Sequence, residues 1–121
     1  KERIVVSLIE LVDDVDGGDI LEQMDLVLNG TELYEEIRSA QAEVTFNLIK
    51  TFLVKYPDFS RRRQTGVSSF YRKRTAEDSE LDIDKSIREL FPLLRIGNNE
   101  GWPSFFRLNG RKYVLKIYKQ E

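Results

Sequence analysis

The chain has 121 residues, of which 40% are hydrophobic and 33% are charged, as in an ordinary globular domain. It contains no cysteine and no histidine, which excludes disulfides, thiolate chemistry, cysteine-based zinc sites and the commonest general base. No apolar run reaches the length of a membrane span. The lack of cysteine suits a reducing compartment, so we expect an intracellular protein of the cytoplasm or nucleus, with no cofactor. A chain that begins at Lys1 rather than methionine is typical of a processed product or an excised piece.

The formal net charge of −2 hides an uneven distribution of charge. Residues 1–50 hold four basic residues against twelve acids, a net charge of −8, whereas residues 51–121 hold fifteen against nine, a net charge of +6. Such a split indicates either a charged partner surface in one half or two halves that face each other in the fold.

The first predicted element is a strand over residues 3–12. This segment is apolar and rich in β-branched residues, which favours a buried strand. The spacing of Val5, Leu8 and Val12 also fits one face of a helix, so the periodicity leaves both structures open.

An acidic turn and a helix are predicted next. Residues 13–19, DDVDGGD, form a turn by composition. The acids resemble a calcium loop, but neither glycine has acids at the required first, third and fifth positions. Asp19 resembles a helix N-cap, and Glu22 stands three residues later as in a capping box. We therefore predict a helix over residues 20–28.

A second, longer helix is predicted between Thr31 and Pro57. Thr31 is a good N-cap, and the residue before Pro57 is disfavoured in helical geometry. At ~1.5 Å per residue the helix is about 35–40 Å long. Its apolar residues recur every three or four positions, as one face of an amphipathic helix requires: Leu33, Ile37, Ala40, Val44, Leu48, Phe52 and Tyr56.

A basic stretch over residues 61–74 is followed by an acidic run over residues 77–84. Asp82 or Asp84 can cap a short helix that ends near Pro92. Residues 93–96 are then expected to form a strand.

A C-terminal β-hairpin is predicted around Asn109-Gly110, because both residues tolerate the positive φ of a type I′ turn. The register pairs Leu108 with Arg111 and continues outward from there. Alternation assigns one face to the core: Phe106, Leu108, Tyr113, Leu115 and Ile117. The other face is expected in solvent: Phe105, Arg107, Lys112, Val114, Lys116 and Tyr118.

The whole pattern predicts a single α+β domain over residues 1–121, with a long amphipathic helix and a C-terminal antiparallel β-hairpin. With no histidine, no cysteine and no glycine-rich phosphate loop, we expect no enzymatic activity and no metal. The function predicted is nucleic-acid binding, with DNA more favoured than RNA, by a domain of a regulatory or genome-handling protein. A basic loop and a basic hairpin face supply the phosphate contacts: Arg61, Arg62, Arg63, Arg72, Lys73, Arg74, Arg107, Lys112 and Lys116.

The alternative is a protein–protein interaction or assembly module. In that interpretation the acidic and basic halves pair within a homo-oligomer or with a protein partner, and the long helix supplies an apolar contact face. The acidic run beside the basic stretch favours this alternative, because it can neutralise much of the positive charge.

Overall fold

The computed structural model describes residues 2–14, 16–67 and 69–121. Its elements in chain order are strands β1 (Glu2–Ile9) and β2 (Ile20–Leu28), helix α1 (Tyr34–Lys55), a 3-10 turn (Ala76–Ser79), helix α2 (Ile87–Leu94), and strands β3 (Ser104–Leu108) and β4 (Arg111–Leu115). The chain divides into two units. Unit 1 comprises Lys1–Gly30 and Arg38–Phe70, and unit 2 comprises Thr31–Ile37 and Tyr71–Glu121.

Unit 1 is built on an antiparallel hairpin of β1 and β2. The strands pair from Glu2 opposite Leu28 to Leu8 opposite Glu22, and the register shifts after Leu8. On β2, Leu26 and Leu28 lie two residues apart and are both buried, as alternation along a strand requires. With Leu48 of α1 they are the buried apolar residues of unit 1 within the described part of the chain.

The helix predicted over residues 20–28 is wrong, because this segment is strand β2. Its apolar residues are spaced for a helix, and Asp19 is a plausible cap for one. Pairing with β1 along the whole length of β2 outweighs these local preferences. The strand predicted over residues 3–12 is confirmed as β1, although it ends at Ile9.

Helix α1 confirms the long helix but not its single apolar face. Leu48 is buried on the predicted face, yet the side chains of Phe46 and Leu53 are 65% and 62% exposed on other sides. Helix α1 is thus apolar on more than one side rather than simply amphipathic. Among the described residues no helix combines the length and apolarity needed to cross a membrane.

Unit 2 contains α2 and the hairpin of β3 and β4. Leu81, Leu94 and Phe105 are its buried apolar side chains among the described residues. The backbone N–H of Leu81 donates to the carbonyl of Phe105 at 2.7 Å, which attaches the segment after the 3-10 turn to β3.

Helix α2 begins later and extends further than predicted. Ser86 is its N-cap, and Glu89 completes a capping box, so neither Asp82 nor Asp84 has that role. The helix contains Pro92 and continues to Leu94, which removes the strand expected at residues 93–96.

The hairpin register is confirmed, with Leu108 opposite Arg111 and Arg107 opposite Lys112. The assignment of its faces is only partly right, since Val114 and Tyr118 are exposed as expected. Phe105, expected in solvent, is only 2% exposed, whereas Leu108 and Tyr113, expected in the core, are 44% and 48% exposed.

The predicted fold class is also wrong as stated. The described part of the chain has two α-helices and two two-stranded sheets, so a long helix with one C-terminal hairpin accounts for only part of it. The missing part is the β1–β2 hairpin, whose pairing joins residues far apart in sequence.

Candidate functional site

The turn between β1 and β2 brings the backbone of Glu10 close to that of residues 18 and 19. The N–H of Glu10 donates to the carbonyl of Asp19 at 2.9 Å. Gly18 lies so close to this crossing that a Cβ added there would be 1.8 Å from the carbonyl oxygen of Glu10. Glycine at this position is therefore a steric requirement of the turn.

Asp16 has a φ of 57°, in the left-handed region that favours glycine. Such a conformation costs on the order of 1 kcal/mol or more and persists where surrounding contacts impose it. Asp16 is exposed, and Asp19 is half-buried in the same turn. We call residues 13–19 the acidic turn.

The basic stretch supplies the contacts that hold the acidic turn. Arg62 and Ile20 pair as an antiparallel bridge, with backbone N–H to carbonyl distances of 2.7 and 2.9 Å. The side chain of Gln64 then donates to two backbone carbonyls of the turn, those of Asp16 and Gly18, at 2.6 Å each.

A cavity of about 620 Å³ opens between the acidic turn and residues 63–70. Three carboxylates line it, those of Asp14, Asp16 and Asp19, together with the side chains of Arg63 and Gln64. Within the described part of the chain, no ion pair or side-chain hydrogen bond engages these three carboxylates. The cavity is thus lined by acids that can interact with a bound molecule.

Unit 2 also has cavities, and some of the charged residues in their linings are paired. One of about 290 Å³ includes Glu36 and Arg95 in its lining. The Nζ atom of Lys119 lies 2.6 Å from a carboxylate oxygen of Glu36. Arg95 forms an ion pair with Glu32 at 3.2 Å. A second, of about 360 Å³, is mostly apolar. The cavity beside the acidic turn has a larger volume than either of these two, and we take it as the candidate for chemistry.

The predicted cations of unit 1 serve mainly as tethers. Arg61 pairs with Glu10 of the crossing, and Arg62 donates to the side-chain oxygen of Gln23 on β2. Arg63 lines the cavity beside the acidic turn. Two of these three arginines thus hold the loop against the β1–β2 hairpin.

In unit 2 the segment 77–80 neutralises cations from both basic segments. Arg72 forms an ion pair with Asp78, and Arg74 donates to the carbonyl of Asp78 at 3.5 Å. Arg107 pairs with Glu77 at 3.2 Å and with Glu80 at 3.0 Å.

The remaining cations of unit 2 differ in their surroundings. Lys112 lies over the ring of Phe105, 4.1 Å from its centroid, and the guanidinium of Arg107 covers the same ring at 5.2 Å. This cover explains the burial of Phe105 on a face predicted to be in solvent. Lys73 and Lys116 are exposed.

The Arg72–Asp78 pair predicts a loss of stability in acid. The hydrogen bond from Arg72, supported by the N–H of Thr75, lowers the pKa of Asp78 from 3.8 to about 2. A lowered carboxyl pKa stabilises the fold above 3.8, and that contribution is lost as the pH falls towards 2. We expect urea midpoints measured between pH 5 and pH 2 to fall less for Asp78→Asn than for wild type.

Arg72→Leu is the matched variant for this prediction. It removes the main cause of the lowered pKa while keeping the carboxylate, so it should flatten the same part of the profile. Wild-type and Asp78→Asn midpoints that fall in parallel would contradict the prediction.

Comparison with known proteins identifies structural neighbours. A methionyl-tRNA formyltransferase from Clostridium thermocellum superposes with a TM-score of 0.74 at 22% identity, over 98% of this chain and 52% of that one. A Mycobacterium tuberculosis protein inferred to be a sugar N-formyltransferase gives 0.76 at 15% identity, over 99% and 55%. A 4-N formyltransferase from Francisella tularensis gives 0.61 at 21% identity, over 92% and 49%.

The chain spans about half the length of each of these structures. No family model and no curated protein matches its sequence. At these identities the likeness shows the fold alone, and that fold is the one found in formyltransferases.

The likeness overturns the predicted function. A non-enzymatic DNA-binding domain of a regulatory or genome-handling protein is wrong, because the structural neighbours are enzymes and none is a DNA-binding module. The alternative of a protein–protein interaction or assembly module that uses complementary acidic and basic halves is not tested by these comparisons and stays a prediction. Phosphate contact by the nine individual cations is not tested by the likeness and stays a prediction.

The residues that the sequence interpretation missed are those of the acidic turn and Gln64. The turn itself was recognised, but its acids were considered only as calcium ligands and as a helix cap. A signal was present, since two adjacent glycines among acids indicate a close backbone approach. Nothing local to Gln64 indicates its role, because its partners lie 48 and 46 residues earlier.

Proposed function

We propose that this chain forms about half of a formyltransferase that transfers a formyl group to an amine nitrogen, and that the acidic turn lies in its reaction site. The observation that carries the proposal is the fold, which superposes on three such proteins over 92–99% of the chain. The cavity supports the location of the reaction site beside the acidic turn. Its acids make no ion pair or side-chain hydrogen bond with the described residues, and it has enough room for a ligand.

The chemistry needs a proton acceptor. The amine nitrogen attacks the formyl carbon, a C–N bond forms, and the bond from the formyl carbon to the donor breaks with its electron pair left on the donor. The nitrogen must lose a proton in this process. A carboxylate within hydrogen-bond reach can accept it, and this chain has no histidine to do so.

Asp16 is the carboxylate that we assign to this role. It is exposed, lines the cavity, and is the one whose backbone is held in a left-handed conformation. Strained backbone of this kind concentrates at sites where a side chain must point in a fixed direction. Asp14 lines the same cavity without that constraint and serves as its matched comparison.

The proposal is tested on the complete polypeptide that carries this chain. Purified protein is incubated with a formyl donor and either methionyl-tRNA or an amino sugar, and the acceptor is analysed by mass spectrometry for one added formyl group. We expect transfer to one of them. We expect Asp16→Asn to lower kcat by about a hundredfold or more, because general-base catalysis contributes that much.

Asp14→Asn is the control, with kcat expected within a few fold of wild type. Far-ultraviolet circular dichroism checks that both variants are folded. Full activity in Asp16→Asn would remove Asp16 from the reaction. An absence of formyl transfer to both acceptors would overturn the proposed function.

A further inference from the structure

Gln64 makes two hydrogen bonds with one nitrogen. Its Nε2 atom lies 2.6 Å from the carbonyl oxygen of Asp16 and 2.6 Å from that of Gly18. A side-chain amide nitrogen carries two hydrogens, so these contacts use both of its donors. The amide thus joins two carbonyls on either side of Gly17.

The backbone around Gln64 is itself fixed in place. Arg62, two residues earlier, is bonded in both directions to Ile20 at the start of β2. Arg61 adds an ion pair to Glu10 on the other side of the crossing. Gln64 therefore reaches the acidic turn from a segment attached to the hairpin at two points.

The segment that Gln64 holds needs an external constraint. Asp16 has a φ of 57°, and the two glycines that follow it have the largest backbone freedom of any residue. A carbonyl held on each side of Gly17 limits rotation of the peptide planes that set the direction of the Asp16 side chain. Gln64 also lines the same cavity as Asp16.

We propose that Gln64 is a positioning residue: its amide clamps the carbonyls of Asp16 and Gly18 and thereby orients the Asp16 carboxylate towards the cavity. The catalytic consequence rests on the proposed function. The clamping itself does not, and it has its own measurement.

The first measurement is amide hydrogen exchange of the acidic turn in the chain itself. Gln64→Glu keeps the shape but replaces the donor by an oxygen that faces two carbonyls. We expect exchange of the Gly17 amide, which donates to the carbonyl of Asp14 at 3.2 Å, and of the Glu10 amide, which donates to Asp19, to become about tenfold faster, with exchange along β1 and β2 unchanged. Gln64→Leu removes both hydrogen bonds without adding charge and should give the same local change, which guards against an artefact of the new carboxylate.

Gln23→Glu is the control, because it makes the same chemical change on β2 and keeps the oxygen that accepts from Arg62. It should leave exchange in the turn as in wild type. Unchanged exchange of the Gly17 and Glu10 amides in both Gln64 variants would overturn the clamp.

The second measurement is kinetic and uses the complete polypeptide. Misplacement of a reacting group lowers the rate of the chemical step, so we expect Gln64→Glu to reduce kcat by about ten- to a hundredfold with KM little changed. In an Asp16→Asn background the same substitution should have almost no further effect, because Gln64 acts through Asp16. A general structural role would instead lower the rate in both backgrounds, and that result would overturn the positioning role.

The two measurements separate the two proposals. Formyl transfer that is absent, or independent of Asp16, overturns the proposed function and the kinetic role together. Faster exchange in the turn still supports the clamp in that case. Transfer that depends on Asp16 but not on Gln64 overturns the positioning role alone.

Discussion

Replacing Gly18 with alanine is expected to lower the free energy of unfolding by about 3 kcal/mol or more, because the new methyl group has no space. It would lie 1.8 Å from the carbonyl oxygen of Glu10 and 2.7 Å from the carbonyl carbon. Both obstacles are backbone atoms, so no side-chain rotation relieves the clash. The hydrogen bond between Glu10 and Asp19 must break or the β1–β2 crossing must open. Urea unfolding monitored by circular dichroism measures the loss.

Gly17→Ala is the matched control for this substitution. Its added Cβ would be 3.0 Å from the Cβ of Asp14, a contact that a shift of a few tenths of an ångström relieves. We expect a change within about 1 kcal/mol, as for an exposed position. Equal losses for the two alanine variants would show that the close approach at Gly18 does not limit the turn.

Removing Glu32 is expected to have a comparably large effect in unit 2. The side chain of Arg95 is 5% exposed and that of Glu32 is 16% exposed, and they form an ion pair at 3.2 Å. Glu32→Ala removes this carboxylate from beside a buried guanidinium, and removal of one partner of a buried pair costs about 3–5 kcal/mol. The urea midpoint of the variant is the measurement. The double variant Glu32→Leu with Arg95→Met should recover much of the loss, because an apolar replacement removes the buried charge as well.

The pair between Lys119 and Glu36 provides the comparison within the same unit. Its distance is shorter, 2.6 Å, but the two side chains are 42% and 50% exposed. Hydration and side-chain entropy oppose such a pair, so Lys119→Ala should cost about 0–1 kcal/mol. A loss as large as that of Glu32→Ala would contradict the view that burial sets the difference.

Elements with local signals could be predicted from the sequence. The hairpin of β3 and β4 was placed in the right register because Asn109-Gly110 fixes its turn, and both residues have positive φ. Helix α1 was found because its apolar spacing is maintained over six turns and Pro57 follows it. In both cases the information lies within a few residues of the element.

Strand β2 could not be predicted in the same way. Its residues are spaced as a helix would space them, and what makes them a strand is β1, which precedes the acidic turn. The burial of Phe105 was missed for a related reason. Alternation placed it beside cations on a solvent face, but those cations cover its ring and residues 80–81 pair alongside it.

The amino-acid composition does not indicate the candidate site, because the lack of histidine and cysteine favours a protein without enzymatic activity. The absence of histidine and cysteine excludes some kinds of catalysis, yet a carboxylate can also accept a proton. Moreover, the chain covers only about half of each structural neighbour, so its composition does not represent a whole protein of that size. The basic stretch predicts phosphate binding. In the structure, Arg61 and Arg62 contact the β1–β2 hairpin and Gln64 contacts the acidic turn.

The hydrogen bonds of Gln64 end on main-chain oxygens, and this has a consequence for how the turn can diverge. Every amino acid provides the same carbonyl, so the two hydrogen bonds of Gln64 do not depend on the chemistry of the side chain at position 16, provided that the residue there tolerates a left-handed backbone. The backbone held by Gln64 and the side chain at position 16 can thus change independently. A substitution at Asp16 changes the side chain that lines the cavity and keeps the two hydrogen bonds from Gln64. A substitution at Gln64 removes those hydrogen bonds and keeps the side chain. Related proteins could vary one while keeping the other, and new reactivity could arise here without rebuilding the fold.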